Sequence, residues 1–157
     1  MNDARWLSDQ EQGVWRRYLA ATGAVNDELE RQLQRDSGLP HAYYEVLVSL
    51  SEAPDRTLRM SELAERSRSS RSRMSHAVAR LEQAGLIERT GCPSDKRGAF
   101  AVLTEKGYSA LVDAAPGHVN AVRGVLFDTL TPTQVQQLSE ICSAIIGGKP
   151  APADKSE

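Results

Sequence analysis

The residues with the clearest chemical potential are the cations and hydroxyls of positions 66–80, RSRSSRSRMSHAVAR. This stretch holds five arginines and no acidic residue, whereas the whole chain has a formal net charge of −2. A guanidinium group can donate two parallel hydrogen bonds to guanine O6 and N7, and serine hydroxyls can donate to phosphate oxygens. Positive charge concentrated in this way within a mildly acidic chain indicates an anionic partner, with nucleic acid as the leading candidate.

The charge is unevenly distributed along the chain. Residues 66–97 contain 8 basic and 3 acidic side chains, residues 1–65 contain 7 and 12, and residues 98–157 contain 4 and 6. Two alternatives to a binding surface remain for the basic segment: a solvated helix face, or a low-complexity serine–arginine run. The second is disfavoured because Met74, Val78 and Leu81 recur at spacings of four and three residues, which is typical of an amphipathic helix.

The basic stretch is expected to fold as a helix-turn-helix. Ser61 is predicted to cap a short helix over 61–67, residues 67–70 form a turn, and a second helix covers about 71–84. In this motif the second helix places its N-terminal residues against base edges in the major groove. The candidate DNA contacts on these elements are Ser61, Arg68, Ser69, Ser70, Arg71, Ser72, Arg73, Ser75 and His76.

A β-hairpin is predicted directly after the second helix. The strands LIERT (86–90) and AFAVLT (99–104) flank a loop that contains Pro93 and two glycines. Lys96 and Arg97 at its tip are placed to reach the DNA backbone or minor groove beside the helix. Helix, turn, helix and basic hairpin together predict a winged helix that binds double-stranded DNA.

A long helix is predicted before this lobe. Ser8 and Glu11 form a capping box for a helix over about 8–36. Pro40 suits the first turn of a second helix, about 40–53. The apolar face of the first helix is longer than the core of a small domain, so its outer portion needs a partner surface.

Two further helices are predicted after the hairpin. Thr104 caps the first of them, and Pro116 is expected to kink or interrupt it. Thr131 begins the second, an amphipathic helix in which Cys142 is expected to be a buried small apolar residue. The fold class is therefore mainly α with a small β-hairpin wing: a winged helix-turn-helix plus N- and C-terminal helices.

Several function classes lack support in the sequence. No apolar run approaches the about 20 residues that span a bilayer, and no signal segment or CxxC pair is present, so a cytoplasmic protein with no membrane partner is expected. No catalytic motif or glycine-rich phosphate loop occurs, and His41, His76 and His118 are scattered, so we expect no enzyme, metal site or cofactor. A winged helix used only for protein interaction stays as the alternative to DNA binding.

The run from Leu63 to Gly107 resembles the winged-helix core of the MarR family of bacterial transcriptional regulators. The likeness is carried by RLEQAGLIER and by the wing pattern D-x-R…V-x-LT-x-x-G, which falls on Asp95, Arg97, Val102, Leu103, Thr104 and Gly107. It extends over about 8–147 and implies a homodimer whose lobes dock in the two halves of a palindromic operator. Residues 8–36 and 105–147 would form the dimerisation region, and 40–104 the DNA-binding lobe. Residues 148–157 are expected to be a disordered tail because of their composition.

The resemblance also implies roles for single residues. Arg97 matches the wing arginine that contacts DNA, and Asp95 would orient it through a charge-assisted pair. The alternative for Asp95 is an ordinary turn residue. Members of the family often bind small anionic aromatic compounds between the two regions, and such an effector would relieve repression, which is the default role. The candidate pocket residues, unless they belong to the core or dimer interface, are Trp15, Tyr18, His41, Tyr44 and Tyr108.

Overall fold

The structure, a computed structural model, describes residues 4–67, 70–92 and 95–147; for Arg71, Cys92, Asp95, Lys96 and Arg97 it describes the backbone alone. The helices are α1 (Asp9–Ser37), α2 (His41–Ser51), α3 (Met60–Arg66), α4 (Arg71–Gln83), α5 (Glu105–Val125) and α6 (Pro132–Ile145). The strands are β1 (Thr57–Arg59), β2 (Ile87–Cys92) and β3 (Asp95–Leu103). The predicted class, mainly α with a small β-hairpin wing, is confirmed. The predicted disordered tail, 148–157, lies outside the described residues.

The first helix begins at the predicted capping box. Ser8 Oγ accepts a hydrogen bond from the Glu11 N–H at 3.2 Å, and the Glu11 carboxylate accepts one from the Ser8 N–H at 2.7 Å. The buried residues of α1 are Leu29, Gln32 and Leu33, all near its C-terminal end. The N-terminal part of α1 therefore projects beyond the core of its own chain.

The core lies between α2, α3, α4, the sheet and the start of α5. Its apolar side chains give each of these helices one buried face, and burying one such side chain stabilises the fold by about 1.5–3 kcal/mol. Met74, Val78 and Leu81 hold α4 against this core, as their spacing predicted. The largest fully buried side chains are Leu33, Val46, Leu47, Leu50, Leu63, Val78, Leu81 and Ile87.

The strands form one antiparallel sheet in the order β1-β3-β2. β2 and β3 make the predicted hairpin, with Ile87 opposite Leu103 at its base. Both strands extend beyond the predicted limits, because the pairing continues as far as Cys92 opposite Asp95. β1 pairs with the other edge of β3 and so fixes the base of the hairpin to the core.

The predicted cap of α3 is wrong. The helix begins at Met60, immediately after β1, so Ser61 is its second residue. Arg59 occupies the cap position, and its backbone N–H donates to the Glu62 carboxylate at 3.1 Å. Strand pairing carries the chain in extended form up to Arg59, which leaves no room for a separate capping residue at Ser61.

Two predictions about the C-terminal helices also need correction. α5 runs through Pro116 as one helix, so the predicted interruption is absent, while the alternative, a kink at the proline, stays a prediction. Packing on α1 holds the helix on both sides of the proline, with Ala114 buried before it and Gly117 close to the Gln32 amide after it. Cys142 is exposed rather than buried, because no residue of α6 is buried within this chain.

Candidate nucleic-acid interface

The helix α4 separates apolar and polar residues onto opposite faces. Met74, Ala77, Val78 and Leu81 are buried against the core, which fixes the rotation of the helix about its axis. The opposite face points to solvent. The predicted contact residues that are exposed there are Ser72, Arg73, Ser75 and His76. Four of the predicted contact residues therefore lie together on the exposed face of α4.

Ser70 starts this helix as its N-cap. Its Oγ accepts a hydrogen bond from the Arg73 N–H at 3.3 Å, which leaves the hydroxyl proton free to reach a phosphate oxygen. The first turn contains no acidic residue. Because unpaired N–H groups at a helix start also favour an anion, this end of α4 is positive in both its backbone and its side chains.

The remaining predicted contacts on the helix-turn-helix differ in how far the structure describes them. Ser61 is exposed on α3. Arg68 and Ser69 lie outside the described residues, and only the backbone of Arg71 is described. The contacts predicted for all four residues therefore stay predictions.

The described arginines of α3 and α4 are not neutralised by carboxylates. Among the described side chains, the one ion pair that reaches α4 joins Arg89 of β2 to Glu82 near the C-terminal end of the helix, and the other arginine ion pairs lie elsewhere on the chain. Arg73 and Arg66 have no carboxylate partner within the described ranges, and Arg80 contacts the amide oxygen of Gln83 at 3.4 Å. These cations are therefore available to an external anion.

The base of the wing is tied to the end of α4 by a pair that the sequence reasoning missed. Arg89 of β2 donates from Nε and Nη2 to Glu82 Oε2 at 2.8 and 2.7 Å, and its backbone N–H donates to Oε1 at 3.3 Å. The side-chain hydrogen bond from Arg89 lowers the pKa of Glu82, so the carboxylate stays ionised. The pair sets the hairpin relative to α4, and both of its members stand in RLEQAGLIER.

The tip of the wing is described by its backbone only. The side chains of Asp95, Lys96 and Arg97 lie outside the description, so the Asp95–Arg97 pair and the two DNA contacts stay predictions. Their strand continues into the paired part of β3, whose other edge is hydrogen-bonded to β1.

The five residues of the candidate ligand pocket do not line one cavity in this chain. Trp15 and Tyr18 stack, with ring centroids 5.8 Å apart, beside a groove of about 690 Å³ that two isoleucines of α6 complete. Tyr108 lies under the guanidinium group of Arg56, 3.8 Å from its carbon to the ring centroid. Within one chain the candidate side chains thus lie in three separate places, and the ligand pocket stays a prediction.

The other two candidates meet a residue that was not predicted for the pocket. The ring of His118 lies 5.6 Å from that of His41 and 4.5 Å from that of Tyr44, measured between centroids. A cavity of about 420 Å³ lies beside the three rings, with Arg66 and Ser67 also on its wall. Burial, and then the charge of His41, lower the pKa of His118. The only sequence signal was the glycine before it, which lets α5 approach α1 closely.

Other classes of site find no support in the part of the chain that is described. No three His, Cys, Asp or Glu side chains gather there as metal ligands. Within the same ranges, no helix has the length and hydropathy needed to cross a membrane.

Comparison with known proteins decides the family. A family model described as MarR family matches residues 37–98, from the end of α1 into the wing. The chain is 53% identical to Sco3205, a MarR family transcriptional regulator from Streptomyces coelicolor whose crystal structure was determined in complex with DNA. Its TM-score to that structure is 0.88, covering 98% of this chain and 97% of Sco3205. The chain belongs to the MarR family.

Two further transcriptional regulators are similar to the chain. AbsC, a MarR family transcriptional regulator from Streptomyces coelicolor, is 42% identical with a TM-score of 0.84, over 91% of this chain and 96% of AbsC. The HTH-type transcriptional regulator MhqR of Bacillus subtilis is 25% identical over 122 residues, 78% of this chain and 81% of MhqR. Because the chain belongs to the MarR family, it is a transcriptional regulator rather than an enzyme, and this conclusion does not depend on the absence of a catalytic motif. The resemblance drawn from the wing pattern is confirmed.

Proposed function

We propose that this MarR family regulator is a homodimer that binds a palindromic operator in double-stranded DNA by reading its base sequence. The observation that carries the proposal is the exposed face of α4, where Ser72, Arg73, Ser75 and His76 lie opposite the buried stripe. In this proposal Arg73 donates to guanine O6 and N7, while the serines donate to phosphates. The crystal structure of Sco3205 in complex with DNA supports this use of the fold.

The wing would extend the contact beyond the major groove. Lys96 and Arg97 at the tip would reach the minor groove or the flanking phosphates, with Asp95 orienting Arg97. The Glu82–Arg89 pair supports this arrangement, because it joins the hairpin to the helix that would read the bases.

A second copy of the chain would cover the apolar surface that this copy leaves exposed. The proposed dimerisation region is residues 8–36 and 105–147, and some of its exposed apolar side chains line the groove between α1 and α6. Two-fold pairing would place the recognition helices about 34 Å apart, which matches one turn of DNA. The exposed apolar side chains of this region include Val14, Trp15, Leu19, Val112, Val119, Ile141 and Ile145.

Light scattering tests the dimer. The expected mass is twice the chain mass of 17.2 kDa at micromolar concentration, and a Trp15→Glu variant is expected to lower it towards one chain. The control variant Glu52→Arg changes an exposed side chain at the end of α2, outside the proposed dimerisation region, and is expected to keep the mass of the parent. A parent protein that stays at the mass of one chain would contradict the proposed dimer.

We propose repression by promoter occlusion in the cytoplasm as the cellular role, with release by a small anionic aromatic compound. The cavity beside His41 and Tyr44 supports a ligand site, whereas Trp15, Tyr18 and Tyr108 lie outside it. A thermal-shift screen of aromatic acids tests the effector. A compound that raises the melting temperature and also releases bound DNA would support release, and a screen without such a compound would remove this part of the proposal.

Selection of bound fragments from genomic DNA by the purified protein tests the function as a whole. The expected result is one enriched palindrome with half-sites centred about 10 base pairs apart, which footprinting would show as protected. Recovery of random fragments, or of none, would contradict sequence-specific binding and favour a winged helix used for protein interaction.

A further inference from the structure

We propose that His41 and His118 form a proton-sensitive contact between the DNA-binding lobe and α5, so that acidification weakens DNA binding. The inference rests on the proposed function, because DNA binding is its output. His41 begins α2, and His118 lies in the middle of α5. Their ring centroids are 5.6 Å apart. The contact thus joins the two regions whose relative position would set the spacing of the recognition helices.

His118 is poorly placed to carry a positive charge. Its Nδ1 is buried and has no hydrogen-bond partner among the described atoms. Burial, and then the charge of His41, lower its pKa from the ordinary value of 6.5. Tyr44 against the ring is a neutral phenol whose pKa burial raises, and Arg66 on the cavity wall adds a further positive charge. The described arrangement therefore favours neutral rings.

The carboxylates around the pair are already engaged or solvated. Glu30 of α1 accepts a hydrogen bond from the backbone N–H of His41 at 2.8 Å. Asp36 of α1 accepts from the neighbouring Arg35 at 2.8 Å. Glu45 of α2 lines the same cavity but is exposed, so solvent and salt screen its charge. The pKa of His118 is still lowered, so these carboxylates do not offset the effect of burial on it.

The cavity wall beside the histidines leads into the recognition helix. Arg66 ends α3, Ser67 follows as its C-cap, and α4 starts at Arg71. The Ser67 Oγ is also buried and unpartnered among the described atoms. If two imidazolium rings repel each other, the end of α3 and the start of α4 move relative to α5. We take the described arrangement as the DNA-competent one because its fold agrees with that of Sco3205 in the DNA complex.

The third histidine has the opposite effect and must be removed from the test. His76 is exposed on α4, so its protonation would add a positive charge facing the phosphates and strengthen binding. The reference protein for the experiment is therefore the His76→Gln variant of the full chain.

The experiment measures the dissociation constant of a fluorescent duplex that carries the sequence selected from genomic DNA. Anisotropy titrations at about pH 8 and about pH 5.5, at constant ionic strength, bracket the ordinary range of histidine. For His76→Gln we expect the affinity to fall at least about tenfold at the lower pH, the equivalent of one pKa unit between the two arrangements. Adding His118→Gln is expected to leave a fall below about threefold, as is adding His41→Gln instead.

Each other outcome decides against the proposal. If the affinity fell equally with pH in the proteins with and without His118, the histidine contact would not be the source of the pH dependence. If the affinity of the His76→Gln protein for the duplex did not depend on pH, the proton-sensitive contact alone would be refuted. If this protein did not bind the duplex at either pH, the proposed function would be refuted as well. Should His118→Gln fail to fold, NMR titration of the His118 ring protons in the His76→Gln protein, with and without the duplex, decides. Because linkage is reciprocal, the duplex is expected to lower the titration midpoint of His118, and equal midpoints in the two samples would overturn the proposal.

Discussion

Gly107 closes the joint between the wing and α5, and an alanine there is expected to destabilise the fold. Gly107 is buried in the first turn of α5, where its N–H donates to the Thr104 Oγ1 at 3.0 Å. A Cβ on this residue would collide with the backbone carbonyl of Leu86 and would lie 2.8 Å from Leu103 Cδ1. The leucine side chain can rotate, but the Leu86 oxygen belongs to the backbone and accepts from the Thr104 N–H at 3.2 Å. The helix would therefore have to move away from the hairpin.

The magnitude follows from two opposing effects. Overpacking of a close-packed site costs about 1–3 kcal/mol, and a clash with backbone belongs at the upper end of that range. The better helix propensity of alanine offsets up to about 1 kcal/mol of it. We expect Gly107→Ala to lower the free energy of unfolding by about 2 kcal/mol, which is about 4–8 °C in Tm for a chain of this size.

Urea denaturation followed by circular dichroism, at one fixed protein concentration, measures this loss. Gly124→Ala is the matched control in the same helix, because a Cβ there meets no atom within 4 Å. The control is expected to keep the stability of the parent or to gain up to about 1 kcal/mol. Equal stability of the two variants would refute the close approach of α5 to Leu86. It would also leave the glycine of the wing pattern without a structural reason.

Two further changes separate stability from DNA binding. Ser70→Ala removes the N-cap of α4 and is expected to lower the free energy of unfolding, measured by thermal unfolding, by about 1 kcal/mol. Ser70→Asp keeps the cap but is expected to weaken DNA binding. If Ser70→Asp bound DNA as strongly as the parent, the proposed phosphate contact would be contradicted. Arg97→Ala is expected to weaken binding to all duplexes and to reduce the salt slope by roughly 0.9 per lost phosphate contact, as measured by titrations at several salt concentrations. An unchanged slope would contradict a phosphate contact from the wing.

Local signals predicted most of the element limits. The capping box at Ser8, the Thr104 cap of α5 and the start of α6 at Thr131 are all set by neighbours in the chain, and all three are confirmed. The predicted start of α3 was wrong because it depends on β1. The last residue of β1, Arg59, pairs with Phe100 of β3, which lies about 40 residues later in the chain. Pairing over that distance leaves no local pattern to read.

The α4 surface could be predicted, whereas the pocket could not. The spacing of the buried residues of α4 fixes which side chains face outward, so Arg73 and His76 were predicted as exposed from the sequence alone. The prediction of the pocket required knowing which part of α1 packs against α2 and α5. Trp15 stands 15 residues before Glu30, or about 22 Å along the helix, away from the histidine contact. Helical periodicity gives the direction of a side chain but not its position against another helix.

The claim that the exposed face of α4 reads bases is tested most directly by Arg73→Ala. Anisotropy titrations would compare its affinities for the selected duplex and for a scrambled duplex with those of the parent. Arg5→Ala serves as the charge-matched control, because Arg5 is exposed before α1 and lies outside both the proposed dimerisation region and the α4 surface. We predict that Arg73→Ala loses about 1–3 kcal/mol on the selected duplex and discriminates less between the two sequences, while Arg5→Ala changes neither. An Arg73→Ala protein with the affinity and discrimination of the parent would contradict the account.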